Sequence, residues 1–391
     1  MDSELIALLL LSLALARITS FILSKIYIPP IASYMLTGII IGPSLVNLIN
    51  VGNYPKGLVT LALLFLLFYA GLNVDFRGFR HYFKESILLT LGGVLLTSTL
   101  IMVTLRYLGF PLYASIIAAI SLSNTATEVV VIMLEQAGSI DDTFKRVVIS
   151  ASFFDDILAV ILMSVIKGGI IGGFEALIDI LKFIVSFVLV LITFILIIKF
   201  FQGLIHAIIV NWGYLVTLSS IIFFALPFIF NELGLGTTLG AYLAGLLISS
   251  LRLVHDPTLI YTVRVEELIS RVGTILEFFI IPIFFLYVGI RVNLNYVFTS
   301  LTLILLLLAI IGKFVGSLIT MSYKEGLRRG TLMGIAMNVR GSLEPAVALL
   351  ALESGVINQE LFNAIIMVSL LTSLIIPILF VSLRRTLTSI V

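Results

Sequence analysis

Apolar residues fill this chain in blocks of about 20, parted by short charged or Gly/Pro/Asn-rich breaks from one end to the other. Such a block, wound as a helix, crosses a hydrocarbon core of roughly 30 Å, whereas barrel strands would be shorter and would alternate. Thirteen spans follow from the breaks, at about 4–24, 29–49, 56–73, 85–108, 112–137, 143–167, 175–201, 207–231, 236–252, 262–290, 296–322, 327–353 and 358–385. The pattern predicts an all-α polytopic membrane protein. The tenth span is expected to begin as an amphipathic stretch in the interface, with Arg264, Glu266, Glu267 and Arg271, before turning inward near Thr274. The first follows Asp2 and Glu4, where a cleaved leader would be basic, and shows no small-residue cleavage site, so it reads as a retained span.

Composition removes other classes. With 60% hydrophobic residues against 11% charged in 391 residues, a soluble fold could not hide its apolar surface from water. The net charge of +2 gives no basic domain for nucleic acid, and the absence of Cys excludes disulfides and thiolate chemistry. Lys and Arg divide fifteen to five between the two sides of the span model, with Arg17, Lys313 and Arg340 inside spans. Cytoplasmic loops retain positive charge, so the N-terminus is expected outside and the C-terminus inside.

Thirteen spans allow two equivalent halves, residues 1–173 and 207–391, joined by a linker helix over 174–206. Tyr69-Ala70-Gly71-Leu72-Asn73-Val74 compares with Tyr287-Val288-Gly289-Ile290-Arg291-Val292, and Leu36-Thr37-Gly38 compares with Leu243-Ala244-Gly245. Six spans plus one linker invert the second half, the plan of many secondary transporters, whose sites lie where corresponding helices break at mid-membrane. Both the fifth and twelfth spans carry such breaks. The fifth holds Ser121, Ser123, Asn124, Thr125, Thr127 and Glu128; the twelfth holds Asn338, Arg340, Gly341, Ser342, Glu344 and Pro345, whose ring and missing N–H open a helix. Polar packing between helices is the plainer reading of either break alone.

Asp155 and Asp156 lie mid-way along the sixth span, where charge is costly. Burial and mutual repulsion both favour protonation, so a carboxylate there can exchange a proton for a cation. Ser152 is one turn back, and hard oxygen ligands suit Na⁺ or Li⁺. Lys313, alone in the apolar eleventh span, needs an internal partner, for which an aspartate of the sixth span is the obvious choice. Arg340 and Glu344, four apart, are placed to pair with each other; Glu128 is placed to balance Arg340 or Lys313. Arg17 and Glu277 are assigned to packing, topology or a dimer.

These residues resemble the monovalent cation:proton antiporter-2 family over essentially the entire chain. The motifs are Pro30 with Gly38-Ile39-Ile40-Ile41-Gly42-Pro43, Tyr69-Ala70-Gly71-Leu72, Asn124-Thr125-Ala126, Asp155-Asp156, Gly240 to Gly245, Gly312-Lys313 and Arg340-Gly341. The resemblance implies an NhaA-type fold in the cell membrane and secondary active sodium/proton antiport. In that family an Asp-Asp pair accompanies electrogenic exchange of two protons per sodium ion. Carried over, Asp156 is the cation and proton carrier, Asp155 the partner of Lys313, and Thr125 a ligand near the crossing of the unwound helices. Asp156, Asp155 and Thr125 are then the Na⁺ ligands, with Ser152 beside them and Asn124, Thr127, Glu128, Arg340 and Glu344 further out. A core bundle of spans 4–6 and 11–13 would slide against a dimerisation domain made of the remainder, in a homodimer held in membrane lipid. No cofactor is called for; the transported ions are Na⁺ or Li⁺ and H⁺. Two departures stand out: many relatives read Arg-Gly-Glu where this chain has Arg340-Gly341-Ser342 with the acid displaced to Glu344, and Glu128 stands where a small residue is usual. The regulatory nucleotide-binding domain of many potassium-exporting relatives is not expected here.

A potassium/proton antiporter is the nearest alternative, ahead of a passive channel or a bile-acid-type sodium symporter. An intramembrane aspartyl protease would need its aspartates on separate helices, whereas neighbours on one helix diverge by about 100°.

Overall fold

The computed structural model describes residues 3–25, 28–50, 52, 54–74, 82–137, 140–167, 185, 189, 209–233, 236–253, 259–297, 299–341 and 343–388. Among them the regular structure is helical: α1 (Ser3–Ser24), α2 (Pro30–Ile41), α3 (Lys56–Leu72), α4 (Phe83–Tyr107), α5 (Leu112–Ser121), α6 (Thr127–Gln136), α7 (Asp142–Lys167), α8 (Trp212–Glu232), α9 (Thr237–Ser250), α10 (Ile260–Ile290), α11 (Ser300–Glu325), α12 (Leu327–Ala336), α13 (Leu343–Glu353) and α14 (Gln359–Thr388). Six of these, α1, α4, α8, α10, α11 and α14, are long and apolar enough to cross a membrane. Phe21 and Ile22 on α1, Leu95 and Val103 on α4, Phe224 and Phe228 on α8 and Leu303, Leu307 and Ile319 on α11 stand exposed. Faces so apolar are stable only against lipid, and the chain is a multi-pass membrane protein.

Three expectations need adjusting. The second span is helical only to Ile41, because the backbone turns at Gly42 and runs on through turns to Leu45 and Val46. The tenth continues past Thr274 as one helix, its irregularity being a π-helical turn at Leu276–Ile280. Pro345 does not itself open the twelfth span; it lies in the first turn of α13, where its missing N–H would have no helical partner, and the opening precedes it. The predicted linker helix falls outside the described residues apart from Val185 and Leu189.

The chain forms two compact units. The first comprises Met1–Val59, His81–Ala159 and Pro282–Val391. In it α11 packs along α4 and α12, α14 packs on α11 and α13, and α5 packs on α4 and α13. Around α6 and α7 an apolar core gathers Val130, Met133, Val148, Ala151, Met337 and Phe380. The α2–α10 crossing is a backbone-to-backbone contact, since a methyl group on Gly38 would strike the Leu286 carbonyl and one on Gly289 the Met35 carbonyl. Ser44 Oγ donates to the Val292 carbonyl at 2.6 Å just beyond it. Arg17 is turned to the Tyr34 hydroxyl, 3.1 Å from Nη1.

The second unit comprises Thr60–Arg80 and Val160–Ile281. Its α3–α9 crossing has the same construction: Gly71 lies on the Tyr242 carbonyl and Gly245 on that of Phe68. Ser249 Oγ donates to the Val74 carbonyl at 2.6 Å. Arg252 closes this end, with Nη2 on the carbonyls of Leu72 and Val74 at 2.9 and 2.8 Å and Nη1 on Glu266 at 2.6 Å. The guanidinium thereby satisfies carbonyls that the end of α3 leaves without helical partners.

Candidate functional site

Between α5 and α6 the helix stops at a run of side chains that compete for backbone hydrogen bonds, Ser121 to Thr125. The N–H groups of Ser123 and Asn124 tighten onto Ile120 and Ser121, after which the chain runs extended to Thr127. Between α12 and α13 the chain opens in the same way after Met337. The two open segments cross and bond to each other. Ala126 N–H donates to the Val339 carbonyl at 2.9 Å, and Thr125 Oγ1 donates to the Met337 carbonyl at 2.8 Å. Backbone that has left its helix away from water is thus satisfied by the opposite segment.

Two cations serve the C-terminal end of α5. Arg340 directs Nε and Nη2 to the Leu122 carbonyl at 3.0 and 2.6 Å, Nη1 to the Asn338 carbonyl at 3.2 Å and Nη2 to the Ala309 carbonyl at 3.1 Å. Lys313 Nζ reaches the Ser123 carbonyl at 2.5 Å and Asp155 Oδ2 at 2.6 Å, with both charged groups wholly buried. Gly93 makes room for the lysine, because a methyl group there would meet its methylene stem. Two acids occupy the opposite kind of end: Glu128 and Glu344 sit in the first turns of α6 and α13. Cations at helix C-termini and acids at N-termini are the favourable arrangement for the helix dipoles.

The expected pairing of Arg340 with Glu344 is therefore not a direct one. The guanidinium is spent on carbonyls, while Glu344 Oε2 accepts the Gly341 N–H at 2.9 Å and its Oε1 accepts no hydrogen bond. Lys313 does take an aspartate of the sixth span, Asp155, whose Oδ1 accepts no hydrogen bond.

Asp156 differs from its neighbour. It is buried, and among the described residues no basic side chain lies within ion-pair distance of it; Thr127 Oγ1 donates to its Oδ2 at 2.8 Å. The same Thr127 hydroxyl is 2.9 Å from Ser152 Oγ, which in turn donates to the Ile149 carbonyl at 2.8 Å. Asp156, Thr127 and Ser152 thus form one polar pocket against the open segment. Ser152 was legible from its helical spacing, but Thr127 was placed only at the periphery, since nothing in one sequence says which residue of the open segment would face α7. Thr125 is committed to the Met337 carbonyl, and Asn124 is buried with neither amide atom bonded. Among the described residues no three acids or histidines converge on one point as a preformed metal chelate.

Known proteins resemble this chain over nearly all of it. A protein of Methanocaldococcus jannaschii described as "Probable Na(+)/H(+) antiporter 3" is 27% identical, over 94% of this chain and 93% of its own length. The Na(+)/H(+) antiporter of Enterococcus hirae is 24% identical, over 96% and 97%. The solved structure of the sodium proton antiporter MjNhaP1 from M. jannaschii superposes with a TM-score of 0.68, at 17% identity, over 98% of this chain and 97% of that one, which shows a shared fold. The model of the transmembrane sodium/hydrogen exchanger matches residues 10–383, and to that family this chain belongs.

Proposed function

We propose that this protein is a secondary active antiporter that exchanges Na⁺ for H⁺, both ions competing for Asp156. The observation that carries this is a buried carboxylate without an ion-pair partner among the described residues, set against hydroxyl oxygens at the crossing of two open helices, beside an aspartate already neutralised by Lys313. An ionised carboxylate so placed requires a counter-charge, and a proton or a small hard cation supplies it. The hydroxyl chain suits both occupants. A protonated Asp156 donates to Thr127, Thr127 to Ser152 and Ser152 to the Ile149 carbonyl; once the proton leaves, the Thr127 hydrogen turns to the carboxylate and the hydroxyl oxygens keep lone pairs for the cation. The antiporter relatives, aligned almost end to end, favour the same exchange here.

The finer architecture belongs to the same proposal. The matched glycine crossings, each followed by a serine on a valine carbonyl, support two inverted halves, residues 1–173 and 207–391. Within them spans 4–6 and 11–13 form the moving core, the remainder the dimerisation part, in a homodimer with the N-terminus outside. Placement in the antiporter-2 division with an NhaA-type fold rests on the Asp155-Asp156 and Gly312-Lys313 motifs. The cycle is electrogenic, with two protons for each sodium ion, of which Asp156 carries one.

The test is purified protein in liposomes with a pH reporter inside, to which Na⁺, Li⁺ and K⁺ are added in turn. Proton movement evoked by Na⁺ and Li⁺ is expected. A response to K⁺ alone would replace the reading by potassium/proton exchange, and sodium entry without proton counterflow would remove antiport altogether.

A further inference from the structure

Thr90 of α4 has no part in the exchange described above, and we infer that it is the positioning residue that decides which of the two neighbouring aspartates faces Lys313 and which faces the ion pocket. This rests on the sodium/proton reading of Asp156. Ser86, Thr90, Gly93 and Thr97 follow one another at helical spacing and share one buried face of α4. A hydroxyl inside a membrane helix commonly turns back to its own helix, as Thr97 does to the Gly93 carbonyl at 2.7 Å. Thr90 does not. Its Oγ1 donates to the Ala151 carbonyl of α7 at 2.8 Å, and one turn before it Ser86 Oγ donates to the Val147 carbonyl at 3.2 Å.

In α7 the Ala151 carbonyl is the helical acceptor of the Asp155 N–H, so the Thr90 bond fastens α7 at the turn that carries this aspartate. The same face of α4 fixes the other partner. Gly93, one turn after Thr90, lies under the methylene stem of Lys313, and Gly312 and Gly316 of α11 lie against the backbone of Thr97 and Gly92. Thus α4 holds α11 by close backbone contact and α7 by hydroxyls, with Lys313 and Asp155 2.6 Å apart between them. Neighbours on a helix diverge by about 100°, so with Asp155 turned to Lys313, Asp156 is turned to Thr127. Rotating α7 by part of that angle takes both carboxylates from their partners at once. Apolar packing around α7 is non-directional and resists such a turn weakly, whereas a hydrogen bond to one carbonyl specifies one orientation.

The experiment measures, in proteoliposomes with a pH reporter inside, the sodium concentration for half-maximal exchange in the unmodified protein, Thr90→Ala, Thr90→Val, Thr90→Ser and Ser86→Ala. Without the Thr90 hydroxyl α7 populates turned arrangements that bind sodium poorly, so the Ala and Val variants should need about three- to tenfold more sodium, the range of one neutral hydrogen bond. Thr90→Ser keeps the hydroxyl and should stay near the unmodified value. Ser86→Ala removes the like bond further from Asp155 and should lower the melting temperature without moving the sodium requirement. Where exchange in a variant is too slow to follow, the sodium concentration that half-saturates the rise in melting temperature gives the same comparison. An unchanged sodium requirement in the Ala and Val variants, an equal shift in Ser86→Ala, or no rescue by Thr90→Ser overturns the inference and leaves the antiport reading intact. Failure of both Ala and Val variants to fold also overturns it, by making Thr90 a support of the fold alone. If the unmodified protein moves no protons when sodium is added, the antiport reading itself falls, and this inference with it.

Discussion

Where α2 meets α10 at Gly38 and Gly289, and where α3 meets α9 at Gly71 and Gly245, intact helices press backbone on backbone. At the meeting of α5/α6 with α12/α13 the helices come apart, and each open segment satisfies the other. Lipid supplies no hydrogen bonds, so a chain at membrane depth must either keep its helices whole or provide partners for what it opens. The glycine crossings keep the helices whole and gain close van der Waals contact. The open crossing gives up helical bonds and obtains in return carbonyls, hydroxyls and carboxylates free to face an ion. Rigidity belongs to the first arrangement and chemistry to the second.

The largest expected effect lies in the open crossing. Asp156→Asn keeps the shape of the side chain and loses both its charge and its titration, so Na⁺-evoked proton movement should vanish while the purified protein melts as before. Exchange persisting in that variant would take Asp156 out of the mechanism. Next comes Lys313→Ala, which strands Asp155 without its buried partner; a loss of about 3–5 kcal/mol is the usual cost, read as a lower melting temperature in detergent. Removing Asp155 as well should restore most of that stability, and if it does not, the pair is not what holds the helices together there.

The glycine crossings should answer in stability rather than chemistry. Gly245→Ala places a methyl group on the Phe68 carbonyl and should cost about 1–3 kcal/mol, whereas Gly57→Ala, with open space around it, should be silent. Equal melting of the two variants would mean that the close approach is not needed. The smallest effect is Thr127→Ala, which removes a hydroxyl from Asp156 and should raise the sodium concentration for half-maximal exchange about tenfold, roughly the value of one hydrogen bond to a charged group, with little change in melting. A larger thermal than functional effect would make Thr127 a structural strut.

Much of this was determined by the sequence alone. Twenty-residue apolar blocks leave no option but spanning helices, and polar or helix-breaking residues in the fifth and twelfth mark where those helices open. A buried Asp pair and a lone Lys mark the charged centre, because charge at that depth is too costly to be incidental. Only the tertiary structure decided which atoms meet. Helical spacing relates residues along one helix, while the partners at an open segment depend on how two crossing backbones align. Thr127 rather than Thr125 therefore bonds Asp156, Arg340 turns to carbonyls instead of to Glu344, and Gly341 leaves space that Glu128 enters.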